Sequence, residues 1–230
     1  MKAKIKKDKA KQKLKVKDEV EKEFAEGQAI LKKKEVVKAN SALLQELYYI
    51  YFKILTEQPN SKFLADVLEG VLTHAHLINI DLTHALIAHL DTAHHFHRSI
   101  WQKNRNNHTL ESRLRLVFTA ESLLNGPLSV YNMDDLKTTT AFYQVLRDIN
   151  DSGCFINSEH FRMLAITFEE TLLRRRQLNQ EVCASLLREM ARLLPKKQIP
   201  KLYLLELIRA IISVLIYLIQ KYSRLSRMLE

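Results

Sequence analysis

Histidines and a carboxylate that could bind a metal ion are concentrated in one part of the sequence. Seven of the nine histidines lie in the range His74–His97. Asp91, His94 and His95 have the i, i+3 and i+4 spacing that places three metal ligands on one face of a helix. His74 and His76 are two residues apart and His84 and His89 are five apart, and no H-E-x-x-H or C-x-x-C motif accompanies them. We therefore predict a histidine-rich helix end, with no metal ion and no cofactor.

Motifs for covalent catalysis are absent from the sequence. It contains no G-x-S-x-G motif, no glycine-rich phosphate loop and no pair of carboxylates in a turn. The two cysteines, Cys154 and Cys183, fall in different predicted helix–turn units, which argues against a disulfide framework and favours a reducing compartment. We predict that the protein is not an enzyme, and a metal-dependent helical hydrolase is the weakest alternative.

Lysines and arginines form the clusters whose chemistry is clearest. Residues 1–17 contain nine lysines and one aspartate, whereas the whole chain has a net charge of +10. Such an arm binds polyanions, because each neutralised phosphate releases counterions, and the same run is typical of a nuclear localisation signal. The arginines at 174–176 either complement a helix dipole or contact RNA phosphates. The predicted RNA-binding residues are Lys2, Lys4, Lys6, Lys7, Lys9, Lys11, Lys13, Lys15, Lys17, Arg174, Arg175, Arg176, Lys196 and Lys197.

Helices are the elements that must position these residues. Glycine and proline number four each in 230 residues, too few for the turns of a β-rich fold. Apolar residues recur at helical spacing through most of the chain. We predict an all-α fold: a disordered basic arm (1–17), a charged helix (18–38) and a helical-repeat domain (39–230). The domain is expected to be an irregular α-solenoid, an armadillo- or HEAT-like helical array with a basic N-terminal extension.

Helix ends are predicted from capping and breaking residues. Pro59 and Pro195 end helices, and Asn125-Gly126-Pro127 ends another. Thr109 and Asn179 are predicted N-caps, because their side chains can accept a hydrogen bond from the first turn.

The last predicted helix, which begins near Pro200, is strongly apolar. Its uncharged stretch, 210–219, has ten residues, whereas a bilayer span needs about 20. We therefore predict no membrane contact and a helix that is buried or covered by a partner. Glu206 and Arg209 are spaced to form an ion pair. The predicted partner-binding residues are Leu207, Ile211, Leu215 and Leu218.

Three short runs carry a resemblance to a known family. They are Tyr51 to Leu55 (YFKIL), Val67 to Gly70 (VLEG) and Ala75 to Asp81 (AHLINID). In this order they resemble the nucleolar complex-associated protein 3 family, whose members carry a "YFRIL … VLEGLAKFAHLIN" run. Leu172 to Gln177 and Leu193 to Pro195 resemble further segments of that family, so that the resemblance covers roughly residues 36–220. Family members are several times longer, so this sequence is a short form or part of a longer chain.

The resemblance implies a non-enzymatic scaffold in ribosome biogenesis. It implies a location in the nucleus and nucleolus, within early precursors of the large ribosomal subunit. It also implies two partners: the second nucleolar complex protein, as a heterodimer, and pre-ribosomal RNA. No small-molecule substrate is expected. The alternatives are a helical-repeat adaptor that binds peptides in transport and a role in the licensing of DNA replication.

Overall fold

The computed structural model describes residues 34–77, 80–126, 136–152, 158–173, 179–196 and 199–229. In these ranges the regular structure is helical, without strands, so the predicted all-α class is confirmed for them. The predicted disordered arm lies outside the described residues. Two compact units are present, Met1–Ile50 and Tyr51–Glu230.

Helix α1 covers 34–57. It runs through residue 38 without a break, so the predicted end of a separate charged helix at that residue is wrong. The reason is that nothing near residue 38 interrupts a helix, since neither glycine nor proline occurs between 34 and 57. Helix α1 ends two residues before Pro59, as predicted.

Seven more helices follow among the described residues of the second unit. They are α2 (Leu64–His74, continued by a 3₁₀ turn at Ala75–Leu77), α3 (Ile80–Lys103), α4 (Asn107–Asn125), α5 (Leu136–Ser152), α6 (Ser158–Leu173), α7 (Gln180–Ala191) and α8 (Lys201–Leu229). Helix α4 is central, because α2, α3, α5 and α6 all pack against it. Helices α6 and α7 in turn contact α8, and α5 contacts α7. The apolar stripes of these helices form the core of the second unit.

Capping residues explain several helix ends. Asn179 accepts a hydrogen bond from the backbone N–H of Glu181 at 3.3 Å, so the predicted N-cap of α7 is confirmed. The predicted N-cap of α4 is wrong. Asn106 holds that position and accepts from the N–H of His108 at 3.0 Å, which leaves Thr109 buried in the first turn. At the other end of α4 the helix stops at Asn125 and Gly126 is its C-cap, as predicted.

Candidate functional surfaces

Helix α8 presents large apolar side chains on its outer side. Six of these residues are between 41% and 68% exposed, and we call them the exposed α8 face. Its members are Leu202, Leu205, Ile212, Leu215, Ile216 and Ile219. Their spacing of three, four and seven residues places them along one side of the helix. Contiguous apolar surface of this kind marks an interaction site in most proteins that carry it.

The opposite side of α8 belongs to the core of the chain itself. Leu207, Ile211 and Leu218 are buried there, together with Ala210 and Val214. The prediction that the first three bind a partner is therefore wrong, since α6 and α7 cover this side. Leu215 is 41% exposed and lies on the outer face, so its partner contact stays a prediction.

Arg209 fixes α8 to α6 halfway along the apolar run. Its two terminal nitrogens donate to the carboxylate oxygens of Glu169 at 3.0 and 3.2 Å. Because Arg209 is engaged in this bidentate pair across two helices, the predicted pair with Glu206 is replaced by one with Glu169. One carboxylate oxygen of Glu206 is buried without a hydrogen-bond partner.

Length and hydropathy alone would allow α8 to cross a membrane. The segment Lys201–Tyr222 has 22 residues and contains an 18-residue window with a mean hydropathy of 2.2, of which only 22% is buried inside the chain. The ten-residue limit deduced from the sequence is therefore too short, since a segment that includes Arg209 still qualifies. However, the core packing and the pair with Glu169 both hold α8 against α6. Insertion into a bilayer would have to break these contacts.

Most of the predicted RNA-binding residues cannot be placed. The nine lysines of residues 1–17, the arginines at 174–176 and Lys197 lie outside the described residues. Lys196 is described, and its ammonium donates to the backbone carbonyls of Ile149 and Asn150 at 2.8 and 3.0 Å. Burial, and then the charge of Arg192, lowers the pKa of Lys196. Two of its three donors thus close the end of α5, and its RNA contact stays a prediction.

The three predicted metal-ligand candidates are separated by the turn of the helix. His95 lies 3.4 Å from the carboxylate of Asp91 at the surface, whereas His94 is buried. Burial, followed by the charge of Arg113, lowers the pKa of His94 to about 3. The imidazole is therefore neutral, and neither ring nitrogen has a hydrogen-bond partner. In the part of the chain that the structure describes, no group of three or more histidine, cysteine or acidic residues could hold a metal ion.

His94 also lines a groove between α3, α4 and α5. The groove has a volume of about 500 Å³ and a mainly apolar floor, formed by residues such as Leu116 and Ala120 of α4. Its rim carries Lys137 and Asp91, and no serine or cysteine is among its lining residues. Thr92, which also lines the groove, donates its hydroxyl to the backbone carbonyl of Ala88 at 2.9 Å and is not paired with His94, whose ring nitrogens have no hydrogen-bond partner.

Sequence reasoning missed most of the exposed α8 face. The signal was present, because α8 is apolar on two sides and a helix packed on one side needs only one apolar stripe. Periodicity identified the apolar stripe that packs in the core. The second stripe, which core packing does not need, was not recognised as a separate surface.

Comparisons with known proteins connect the chain to one family. It is 28% identical to the nucleolar complex protein 3 homolog of Xenopus laevis over 181 residues, and this aligned region covers 78% of this chain and 21% of that protein. It is 27% identical over 159 residues to nucleolar complex protein 3 of Drosophila melanogaster (69% of this chain, 18% of that protein). It is 30% identical over 132 residues to the human homolog (57% of this chain, 15% of that protein).

The chain thus spans about a fifth or less of the length of these relatives. No family model matches it, and no solved structure matches it. The matches confirm the resemblance described from the sequence. The relatives are named as nucleolar proteins, which supports the predicted location in the nucleus and nucleolus.

Proposed function

We propose that this chain, a relative of the nucleolar complex protein 3 family, is a non-enzymatic scaffold of ribosome biogenesis. In this role it joins a protein partner to pre-ribosomal RNA in early precursors of the large subunit. The partner implied by the resemblance is the second nucleolar complex protein. Successive packed helices, with α4 between four others, support a solenoid-like array of the kind that scaffolds use.

The exposed α8 face is the observation that carries the proposal. Its six large side chains lie on a helix whose other side is already buried, so they form a surface that a partner could cover. A partner helix with its own apolar stripe fits such a surface, because helix-in-groove contacts use the same spacing. We favour a protein over a membrane, since α8 remains anchored to α6 by Arg209 and Glu169.

Affinity purification tests this assignment. A tagged chain with Leu205→Ser, Ile212→Ser and Ile216→Ser should lose the co-purifying partner and stay folded, because these side chains are 50–63% exposed. The matched control replaces Phe63 and Leu77, which are 53% and 54% exposed outside α8, with serine. The control should retain the partner.

Two results would contradict the protein-partner assignment. One is unchanged recovery of the partner with the α8 variant. The other is recovery of the unaltered chain with lipid vesicles, which would favour the membrane alternative. Capture of transport cargo without ribosomal RNA would favour the adaptor alternative.

The RNA part of the proposal depends on the nine lysines of residues 1–17. Their replacement by glutamine should flatten the dependence of RNA affinity on salt, by about 0.7 in the log–log slope for each single-strand phosphate that is no longer neutralised. Replacement by arginine keeps the charge and should keep the slope. An unchanged slope in the glutamine variant would contradict an RNA-binding arm.

A further inference from the structure

Three arginines surround a polar cavity where the C-terminal ends of α3 and α5 meet. The cavity has a volume of about 280 Å³, and we call it the arginine pocket. Its main lining residues are Arg98, Trp101, Gln102, Arg105, Gln144 and Arg147. They come from sequence segments about 40 residues apart, and none of them was among the predicted RNA-binding residues.

Two carboxylates, those of Asp148 and Asp151, also line the pocket, and both are already engaged. Asp148 accepts from the guanidinium of Arg113 at 2.6 Å. Asp151 lies 3.4 Å from Arg147 and 3.2 Å from Arg192. Among the described residues, Arg98 and Arg105 therefore have no carboxylate to neutralise them, and positive charge is in excess around the cavity.

A fourth arginine lies behind the pocket and adds to this excess. Arg113 is fully buried, and only one of its terminal nitrogens is bonded, to Asp148. Its Nε and second terminal nitrogen have no partner. Burial lowers the pKa of Arg113, the bond to Asp148 opposes this effect, and the charge of Arg98 adds to the lowering, so the two guanidinium groups repel each other. An anion in the cavity would relieve this repulsion.

We propose that the arginine pocket binds the sugar–phosphate backbone of RNA, an assignment that rests on the proposed function. Guanidinium groups bind phosphate oxygens through two parallel hydrogen bonds. The amides of Gln102 and Gln144 both donate and accept, as a ribose 2′-hydroxyl requires of its partners. The volume suits one phosphate with its sugar and is too small for a helix of an acidic protein.

A helix dipole also stabilises cations at the C-terminal ends of α3 and α5. This effect explains why arginines can occur at both ends. The dipole does not explain why Arg98 and Arg105 lack carboxylate partners, or why amide side chains line the same cavity. The experiment must therefore distinguish RNA binding from a contribution to stability alone.

Fluorescence anisotropy with a labelled 20-nucleotide oligouridylate provides that test, with the full chain at 50–400 mM salt. In Arg98→Gln/Arg105→Gln we expect affinity at 0.1 M salt to fall about 20-fold and the log–log salt slope to decrease by about 0.7, since the one phosphate held in the pocket is no longer neutralised. Arg98→Lys/Arg105→Lys should keep the slope and lose affinity severalfold, because lysine cannot bind a phosphate in the bidentate manner.

The matched control is Arg162→Gln/Arg188→Gln. Both arginines are exposed on other helices, so this variant removes the same charge away from the pocket. Its affinity should stay within twofold of that of the unaltered chain. Melting curves of each variant check that loss of binding is not loss of folding.

The outcomes separate the two proposals. If the unaltered chain binds the probe and the pocket variant behaves like the control, the pocket assignment is overturned and the proposed function stands. If the unaltered chain does not bind the probe, both the pocket and the RNA part of the proposed function are overturned. If a polyglutamate peptide of equal charge competes as well as RNA at the pocket, the RNA assignment is overturned in favour of an acidic protein.

Discussion

The aromatic ring of Tyr51 occupies the space that a side chain on Gly70 would need. A β-carbon at Gly70 would collide with the Tyr51 hydroxyl and lie 2.8 Å from Cζ of that residue, a distance that real β-carbons essentially never show. Tyr51 begins the first run of the family resemblance and Gly70 ends the second. The two runs thus meet in the structure, and the glycine is required by close approach.

This close approach predicts the effect of Gly70→Ala. Alanine in a helix is favoured over glycine by about 1 kcal/mol. The tyrosine ring must move to admit the new methyl group, which costs about 1–3 kcal/mol. We therefore expect a net loss of about 1 kcal/mol in the free energy of unfolding, measured by urea denaturation. In a Tyr51→Leu background the substitution should become neutral or stabilising, and an equal loss in both backgrounds would contradict this explanation.

The buried pair of Arg113 and Asp148 gives an asymmetric prediction. Asp148→Asn leaves a buried guanidinium without its counter-charge and should cost about 2–3 kcal/mol, because Asp148 is 31% exposed and water replaces part of the original interaction. Arg113→Met removes the charge and its two unbonded nitrogens, and it should cost less than about 1 kcal/mol. Denaturation of both variants measures the difference. Greater destabilisation by Arg113→Met would contradict this account.

Buried histidines make the stability sensitive to acid. The pKa of His94 is about 3 in the folded chain, against about 6.5 when exposed. The unfolded chain therefore takes up the proton first, and stability falls as the pH decreases below 6.5 and continues to fall towards 3. Burial lowers the pKa of His97 and His160 as well, so their effects have the same sign.

His94→Leu isolates one part of this acid sensitivity. From pH 7 to pH 5, His94 should account for about 2 kcal/mol of the decrease in the free energy of unfolding. The free energy of unfolding of the variant should therefore decrease by about 2 kcal/mol less than that of the unaltered chain over this range, measured by urea denaturation at both pH values. His76→Gln, at an exposed site, is the control and should follow the unaltered chain. A pH profile unchanged by His94→Leu would contradict a neutral buried imidazole.

Lys196 provides a test of a structural role in place of an RNA-binding one. Its ammonium bonds to the carbonyls of Ile149 and Asn150, and these bonds are removed in Lys196→Met. We expect a loss of about 1–2 kcal/mol in the free energy of unfolding, since hydrogen bonds from a charged donor are worth that much. We also expect the RNA affinity of this variant, measured under conditions in which it is still folded, to change less than it would if Lys196 bound a phosphate. A salt slope reduced by about 0.7 would instead support the RNA contact predicted from the sequence.

Helix class and several helix ends follow from local chemistry, and the sequence was sufficient for them. Pro59, Gly126 and Asn179 act through their own backbone or side-chain groups, so their positions predict structure directly. The prediction of Thr109 as an N-cap is wrong because Asn106, three residues earlier, accepts the hydrogen bond at the start of α4. The pattern of apolar residues alone does not decide between these two positions.

Surfaces depend on contacts between distant segments and were predicted poorly. Which side of α8 faces the core depends on where α6 and α7 pack, and both sides of α8 are apolar enough to be buried. The arginine pocket joins residues near 100 to residues near 147, and no local pattern links them. His94 shares its helix face with Asp91 and His95 by spacing, yet small differences in direction place it inside and the others outside.

The central place of α4 also determines the order in which the chain can complete its folding during synthesis. Two of its neighbours, α2 and α3, precede it, whereas α5 and α6 follow it. When the nascent chain has emerged only as far as Asn125, the surface of α4 that packs against α5 and α6 is therefore still exposed. Until α6 leaves the ribosome, we expect this intermediate to be more prone to misassociation than the completed array.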